Sequence, residues 1–375
     1  MDRSRNAVLT VRAEESRPLT GLRGVAALLV LAHHLYLHLA PDQPGLVFEA
    51  LLRRGYLGVD LFFVISGFVL TMVYGTWFDL GRRTGPLDYL RFVARRVARL
   101  WPSHVTMLAV VLATNATLGA TPSLRLVSAN VAMIQAWGIS AEINPPAWSV
   151  STEFMAYLLF PALALLSARG RWGVLLCAGV SALGYALCLH YAPAIGPGRR
   201  GLLDIYFNNS PLPLFRCLSG FIIGVLAWRA GQLPSVRRLA AWRLLGPLAL
   251  LLFAVAMQSR LNDLLTLALL PALALGMHYG SGPVHSALGS PPLHTLGLLS
   301  YPIYLVHYLL ISVFPFDSGP LPATLPLYLA ATIGSAAVLY RLVEQPGRQL
   351  LRALADSVIP GPAPPPAAPL HDGSH

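Results

Sequence analysis

The chain alternates long apolar runs with short polar segments rich in arginine and proline. The first run covers about 20–40 and ends at Ala40-Pro41-Asp42, and the second covers about 56–75. A basic stretch from Arg82-Arg83 through Arg91, Arg95, Arg96 and Arg99 follows, and Trp101-Pro102 opens a third run. Leu124 to Trp137 is apolar but broken, as expected of a short interfacial or re-entrant piece. Asn144-Pro-Pro-Ala-Trp148 leads into a fourth run ending near Ser167, and Arg169-Gly-Arg171 turns into a fifth at about 172–191. A Gly/Pro/Asn loop at 192–211 precedes a sixth run at 212–228, whose Gly220 and Gly224 form a close-packing face. A second basic loop, Arg229 to Arg243, is followed by runs near 244–258, 263–279, 295–314 and 323–341. About 20 apolar residues in a helix cross a bilayer. The expected fold is therefore an all-α polytopic membrane protein with about ten transmembrane helices.

Composition agrees: 55% of residues are hydrophobic and 11% charged, against about 25% charged in soluble domains. All 27 basic residues are arginine, and the net charge is +11. With ten crossings, the arginines of the N-terminal segment, 82–99, 169–171, 229–243 and 341–352 fall on one side. The positive-inside rule makes that side cytoplasmic, so both termini are expected there, in a cell (inner) membrane. The charge is then a matter of orientation, and no nucleic-acid partner is expected. Cys177, Cys188 and Cys217 lie in apolar segments without ligand spacing and read as packing residues, with no metal site. The start lacks the features of a cleaved signal, since His33 and His34 interrupt its apolar core. Residues 1–18 are expected as a cytoplasmic segment, 19–348 as one transmembrane domain, and 349–375 as a disordered Pro/Ala-rich tail.

Four polar signatures sit in or beside these apolar runs. Arg23 and His34 are 11 positions apart on the first helix, close to three turns and roughly 16 Å. If Arg23 marks the membrane surface, His34 lies near the midplane, where an ionisable group is costly and points to function. His33, one position round the helix, should face elsewhere, and His38 lies one turn on. Glu153, in Trp148-Ser-Val-Ser-Thr-Glu153, enters the fourth span with Ser149 on its face. Asp60 sits in the second span, and either acid could support a histidine base. Arg95, Arg96 and Arg99 offer guanidinium forks suited to phosphate, with topogenic charge as the plainer explanation.

Six ordered motifs then resemble the acyltransferase-3 family of integral membrane O-acyltransferases. They are Leu19-Thr-Gly-Leu-Arg23-Gly…His34; Gly58-Val-Asp-Leu-Phe-Phe-Val-Ile-Ser-Gly67; Arg95-Arg96…Arg99…Pro102; Trp148-Ser-Val-Ser…Glu153…Tyr157-Leu-Leu-Phe-Pro161; Leu299-Ser-Tyr-Pro-Ile-Tyr-Leu-Val-His307; and Glu344-Gln-Pro346-Gly-Arg348. The resemblance implies ten helices, a cytoplasmic acyl-CoA donor (acetyl-CoA in first place) and an acceptor hydroxyl, usually on a carbohydrate. It makes His34 the essential histidine, matches Arg23 to the first-helix arginine, Arg96 and Arg99 to the arginines serving the donor, and Glu153 to the fourth-helix acid. Arg23 itself reads as a donor-side cation that either anchors the helix or meets a phosphate. Thr20 stands where the family often has Asp, and Thr152-Glu-Phe-Met-Ala replaces a more polar run. Some relatives carry a C-terminal hydrolase-like domain, for which the tail here is too short.

The expected activity is therefore O-acetyl transfer to a cell-surface or lipid-linked carbohydrate, with His34 as general base and Glu153 or Asp60 in support. The rivals are O-acylation of a small glycosylated metabolite and a transporter using the same intramembrane groups. The bilayer, acyl-CoA and a hydroxyl acceptor are the expected partners, and a homo-oligomer is left open.

Overall fold

The computed structural model describes residues 16–39, 48–78, 85–119, 121–191, 201–205, 210–259, 262–316 and 321–359, and among these there is no strand. Among the described residues seven helices are long and apolar enough to cross a membrane, or up to nine if each of two bent pairs counts as one span. Most expected spans appear: α1 (Arg17–Leu39), α2 (Leu57–Tyr74), α3 (Pro86–Thr117), α4 (Leu124–Val131), α5 (Trp148–Ser167), α6 (Gly170–Tyr191) and α7 (Leu212–Gly231). Here α4 is the short piece expected between the third and fourth runs.

Of the expected spans, 263–279 falls short of spanning length among the described residues. That run breaks into α10 (Asp263–Leu267) and α11 (Leu270–Tyr279), too short to cross in one piece. Pro271 opens the second fragment, where its missing N–H breaks no helical bond. Two other runs bend: α8 (Pro234–Ala240) meets α9 (Leu245–Gln258) at 70°, and α12 (Pro291–Leu298) meets α13 (Ser300–Val313) at 66°. The basic stretches expected as loops are largely helical. Arg91 to Arg99 lie within the 32-residue α3, and Pro102 sits inside that helix. The last span, α14 (Leu321–Leu339), passes through a π-turn at 340–344 into α15 (Gln345–Val358). Helix therefore continues well past 349, where a disordered tail was expected; residues 360–375 and 1–15 lie outside the described residues.

Close helix approach rests on glycine where backbones touch. Gly67 of α2 faces the Phe221 carbonyl of α7, and Gly224 of α7 faces the Val64 carbonyl of α2, with no room for a Cβ at either. This is the packing role read from Gly220 and Gly224. Gly58 lets α2 meet α1, since a Cβ there would come within 2.9 Å of the Ala26 carbonyl oxygen. The α1–α2–α7 contact fixes the heights of Arg23, His34, Asp60 and Arg216 relative to one another.

Candidate active site

Two cavities lie inside the bundle, one lined by arginines and one by histidines. The arginine cavity has a volume of about 110 Å³ and is bordered by Arg23, Arg96, Arg99, Ser66, Glu153 and Tyr157, with Tyr301 beside them. α1, α2, α3, α5 and α13 each contribute to it. Arg96 is held through its Nη2, which donates to the Tyr74 hydroxyl at 2.7 Å. Its guanidinium lies 4.7 Å from the centre of the Tyr74 ring, while its buried Nε has no hydrogen-bond partner. Arg99 is paired with the fully buried Glu344, and its guanidinium stands 5.6 Å from the Tyr301 ring. The π-turn at 340–344 delivers Glu344 to that position, an irregularity common at functional sites. Glu153 accepts hydrogen bonds from Ser66 and Tyr157, both at 2.6 Å.

The histidine cavity, about 270 Å³, is bordered by His33, His34, His38, Tyr56, Trp148 and Tyr308, with Asp204 and Arg216 deeper in. His33 thus borders the same cavity as His34 rather than facing elsewhere. Its Nδ1 lies 2.8 Å from the Leu52 carbonyl oxygen, which ties α1 to the segment before α2. His34 Nδ1 lies 3.0 Å from the Val30 carbonyl oxygen and 3.1 Å from His307 Nε2. Val59 and Tyr304 belong to the linings of both cavities, so these two side chains stand at the boundary between the two spaces. The Tyr304 hydroxyl is 2.7 Å from Ser149 Oγ.

The two acids considered as supports for His34 are placed apart from it. Glu153 belongs to the arginine cavity. Asp60 is fully buried and receives Arg216 through two bonds, Nε to Oδ1 at 3.0 Å and Nη2 to Oδ2 at 2.5 Å. Arg216 also donates to the Tyr56 carbonyl oxygen at 3.1 Å, and its guanidinium lies 5.4 Å from the Trp148 ring. A fork-to-fork pair with this much support locks α2 to α7. A second buried pair joins Arg54 to Asp263 through a single guanidinium nitrogen, and Asp263 also accepts from Tyr56 Oη and the Leu203 amide, each at 2.8 Å, which fastens α10 and the 201–205 segment.

Sequence reasoning named His307 and Glu344 only as parts of motifs and gave neither a role. The rule that singled out His34, an ionisable group deep in an apolar run, applies equally to His307. Arg95, grouped with Arg96 and Arg99 on the sequence, turns instead onto Trp77, 5.0 Å from its ring centre. Among the described residues no cluster of three or more His, Cys, Asp or Glu could hold a metal ion.

Comparison with known proteins bears on this arrangement. Residues 18–341 match the Acyl_transf_3 family model, described as an acyltransferase domain. The chain is 26% identical to the peptidoglycan O-acetyltransferase OatA of Listeria monocytogenes, over 88% of this chain and 55% of that protein. It is 27% identical to the acyltransferase MdmB of Streptomyces mycarofaciens, over 92% of this chain and 95% of that one. The chain thus spans about half the length of OatA and nearly all of MdmB. No solved structure matches it. A helical membrane bundle in which 18–341 match one acyltransferase-domain model belongs to the acyltransferase-3 family.

Proposed function

We propose that the protein transfers an acyl group, in first place acetyl, from cytoplasmic acyl-CoA to a hydroxyl of a cell-surface or lipid-linked carbohydrate. The observation that carries this reading is that Val59 and Tyr304 line both the arginine cavity and the histidine cavity. Arg23, Arg96 and Arg99 suit the donor's phosphates, since each guanidinium presents a fork matched to paired phosphate oxygens. The unpartnered Nε of Arg96 is a buried donor with hydrogen-bonding capacity to spare, which a bound anion would use. The aromatic faces around Arg96 and Arg99 hold both cations at low rotational freedom.

In this reading the thioester reaches the junction from the arginine side and the acceptor hydroxyl from the histidine side. His34 removes the hydroxyl proton as the oxygen attacks the thioester carbonyl. The C–S bond then breaks, and the proton passes from His34 to the departing thiolate. The tetrahedral oxyanion forms beside Tyr304, whose hydroxyl is the polar group common to both linings. Glu153, held by Ser66 and Tyr157, serves the donor end, and Asp60 serves as the counter-ion that places Arg216. Trp148, Tyr56 and Tyr308 give the histidine cavity apolar ring faces, and Asp204 adds an acceptor, a combination suited to sugar rings. The name of the relative OatA favours an envelope acceptor. The cytoplasmic side is the one reached from the arginine cavity, in keeping with the arginine distribution along the chain.

The test is thiol release from acetyl-CoA by purified protein in detergent, with and without an added glycan acceptor. Acceptor-dependent release with recovery of the acetylated glycan is the expected result. A transporter using the same groups would release no thiol, and that outcome would refute the assignment.

A further inference from the structure

The base has a partner that is not an acid. His307, fully buried on α13, brings its Nε2 to 3.1 Å from His34 Nδ1, with the ring centres 5.1 Å apart. The other nitrogen of His307, Nδ1, faces two backbone carbonyl oxygens, Tyr304 at 2.8 Å and Ile303 at 3.3 Å. A carbonyl oxygen can only accept, so Nδ1 of His307 carries the hydrogen and the neutral ring has its lone pair on Nε2. His34 Nδ1 therefore faces two acceptors, the His307 lone pair and the Val30 carbonyl oxygen at 3.0 Å. The hydrogen of His34 belongs on Nδ1, and its lone pair belongs on Nε2.

We propose that His307 is the positioning residue of the reaction, holding His34 as the Nδ1–H tautomer so that Nε2 receives the proton of the acceptor hydroxyl. This rests on His34 being the base. During transfer the hydroxyl O–H bond breaks and its proton goes to His34 Nε2. The new C–O bond forms, the C–S bond breaks, and Nε2 returns the proton to the thiolate. The Nδ1–H bond to His307 persists through every stage, and it strengthens when His34 is an imidazolium because its donor is then charged.

In soluble triads a carboxylate performs this orienting role. At membrane depth a further buried carboxylate carries a large desolvation penalty, whereas a neutral imidazole accepts the same hydrogen bond without adding charge. The turn that presents His307 is fixed from two sides. Tyr328 Oη of α14 donates to the His307 carbonyl oxygen at 3.1 Å. Asn144 Nδ2 donates to the Leu305 carbonyl oxygen at 3.0 Å. Tyr304, at the junction, is one helical turn from His307, so one short stretch of α13 sets both the meeting point and the tautomer.

The test compares His307→Leu and His307→Gln with wild type, using steady-state acetyl transfer by purified protein in detergent. The amide oxygen of Gln can accept from His34 Nδ1, while Leu cannot. Loss of the partner that orients a metal-bound histidine costs roughly 10–100-fold; on the same scale, His307→Leu should lower kcat by about that factor with both KM values little changed. His307→Gln should recover most of the loss. Wild-type kcat in His307→Leu, or equal damage in both variants, would overturn the proposal. Nitrogen-15 NMR of histidine-labelled wild-type protein gives a second reading that needs no variant to fold. An unprotonated Nε2 on His34 supports the assignment, and an unprotonated Nδ1 overturns it. Full activity in His34→Ala would instead overturn the base itself, and the NMR result would still report on the pair.

Discussion

The two cavities treat charge in opposite ways. The arginine cavity gathers Arg23, Arg96 and Arg99 around Glu153 and Glu344, leaving the Arg96 Nε and one Glu344 carboxylate oxygen buried without hydrogen bonds. The histidine cavity places its central contact between two imidazoles, and the arginine on its wall is already matched to Asp60. Charges that hold helices together are therefore closed pairs, while the group suited to meeting a ligand keeps a free donor. A cavity of cations suits a polyanionic donor, and a cavity of imidazoles suits a hydroxyl acceptor.

The largest expected difference lies between neighbouring histidines. General-base help is worth about 10²–10⁴-fold, so His34→Ala should lose that much turnover while the protein still inserts and folds. His33→Ala, which gives up a bond to the Leu52 carbonyl, should keep turnover within a few-fold. Equal losses in both would erase the distinction, and acetyl-transfer rates at matched protein amounts decide it.

Asp60→Ala tests the closed pair. Removing one partner of a buried ion pair costs about 3–5 kcal/mol, so Arg216 left alone should lower the thermal midpoint sharply. The fraction that stays folded should keep its kcat, because the role assigned to Asp60 is structural. A stable Asp60→Ala protein with little turnover would return the acid to the chemistry.

Arg96→Ala should do the reverse, leaving stability nearly intact. Hydrogen bonds to charged groups contribute about 1.5–3 kcal/mol, so the KM for acetyl-CoA should rise roughly 10–100-fold at similar kcat. An unchanged donor KM would make the arginine cluster a matter of topology.

The smallest effect concerns Glu142, in the segment between α4 and α5. Burial raises its carboxyl to about 7, so the fold favours the neutral form. That contribution is complete below the ordinary carboxylate range and is lost as pH rises toward and through about 7. Glu142→Gln should flatten the decline of the thermal midpoint between about pH 5 and pH 8. An identical slope in the variant would place the pH dependence elsewhere.

Much of the site was legible because ionisable groups in apolar runs are conspicuous. Arg23, Arg96, Arg99 and Glu153 were named from the sequence, and all four border one cavity. What the sequence could not supply was pairing. Asp60 is 156 residues from Arg216, and His34 is 273 from His307, so no spacing rule connects them. Glu344 depends on a π-turn that shifts the helix register at 340–344, and hydropathy is blind to that shift. The breaks within the expected spans were not legible for a related reason. Apolarity at 263–279 is nearly continuous, but the helix ends at Leu267 and a new one starts at Leu270. Of the arginines of 91–99 two, Arg96 and Arg99, face the cavity, while Arg91 pairs with Asp88 and Arg95 lies on Trp77.

The central claim is that the two cavities are ends of one reaction path meeting at Val59 and Tyr304. Val59→Phe puts a ring into that junction without touching a charged group. Binding of a non-reactive CoA thioether and acetyl transfer to a glycan should be measured on the same preparation. The expected result is near-normal binding of the thioether with transfer lost. Normal transfer through the filled junction would contradict a path between the cavities.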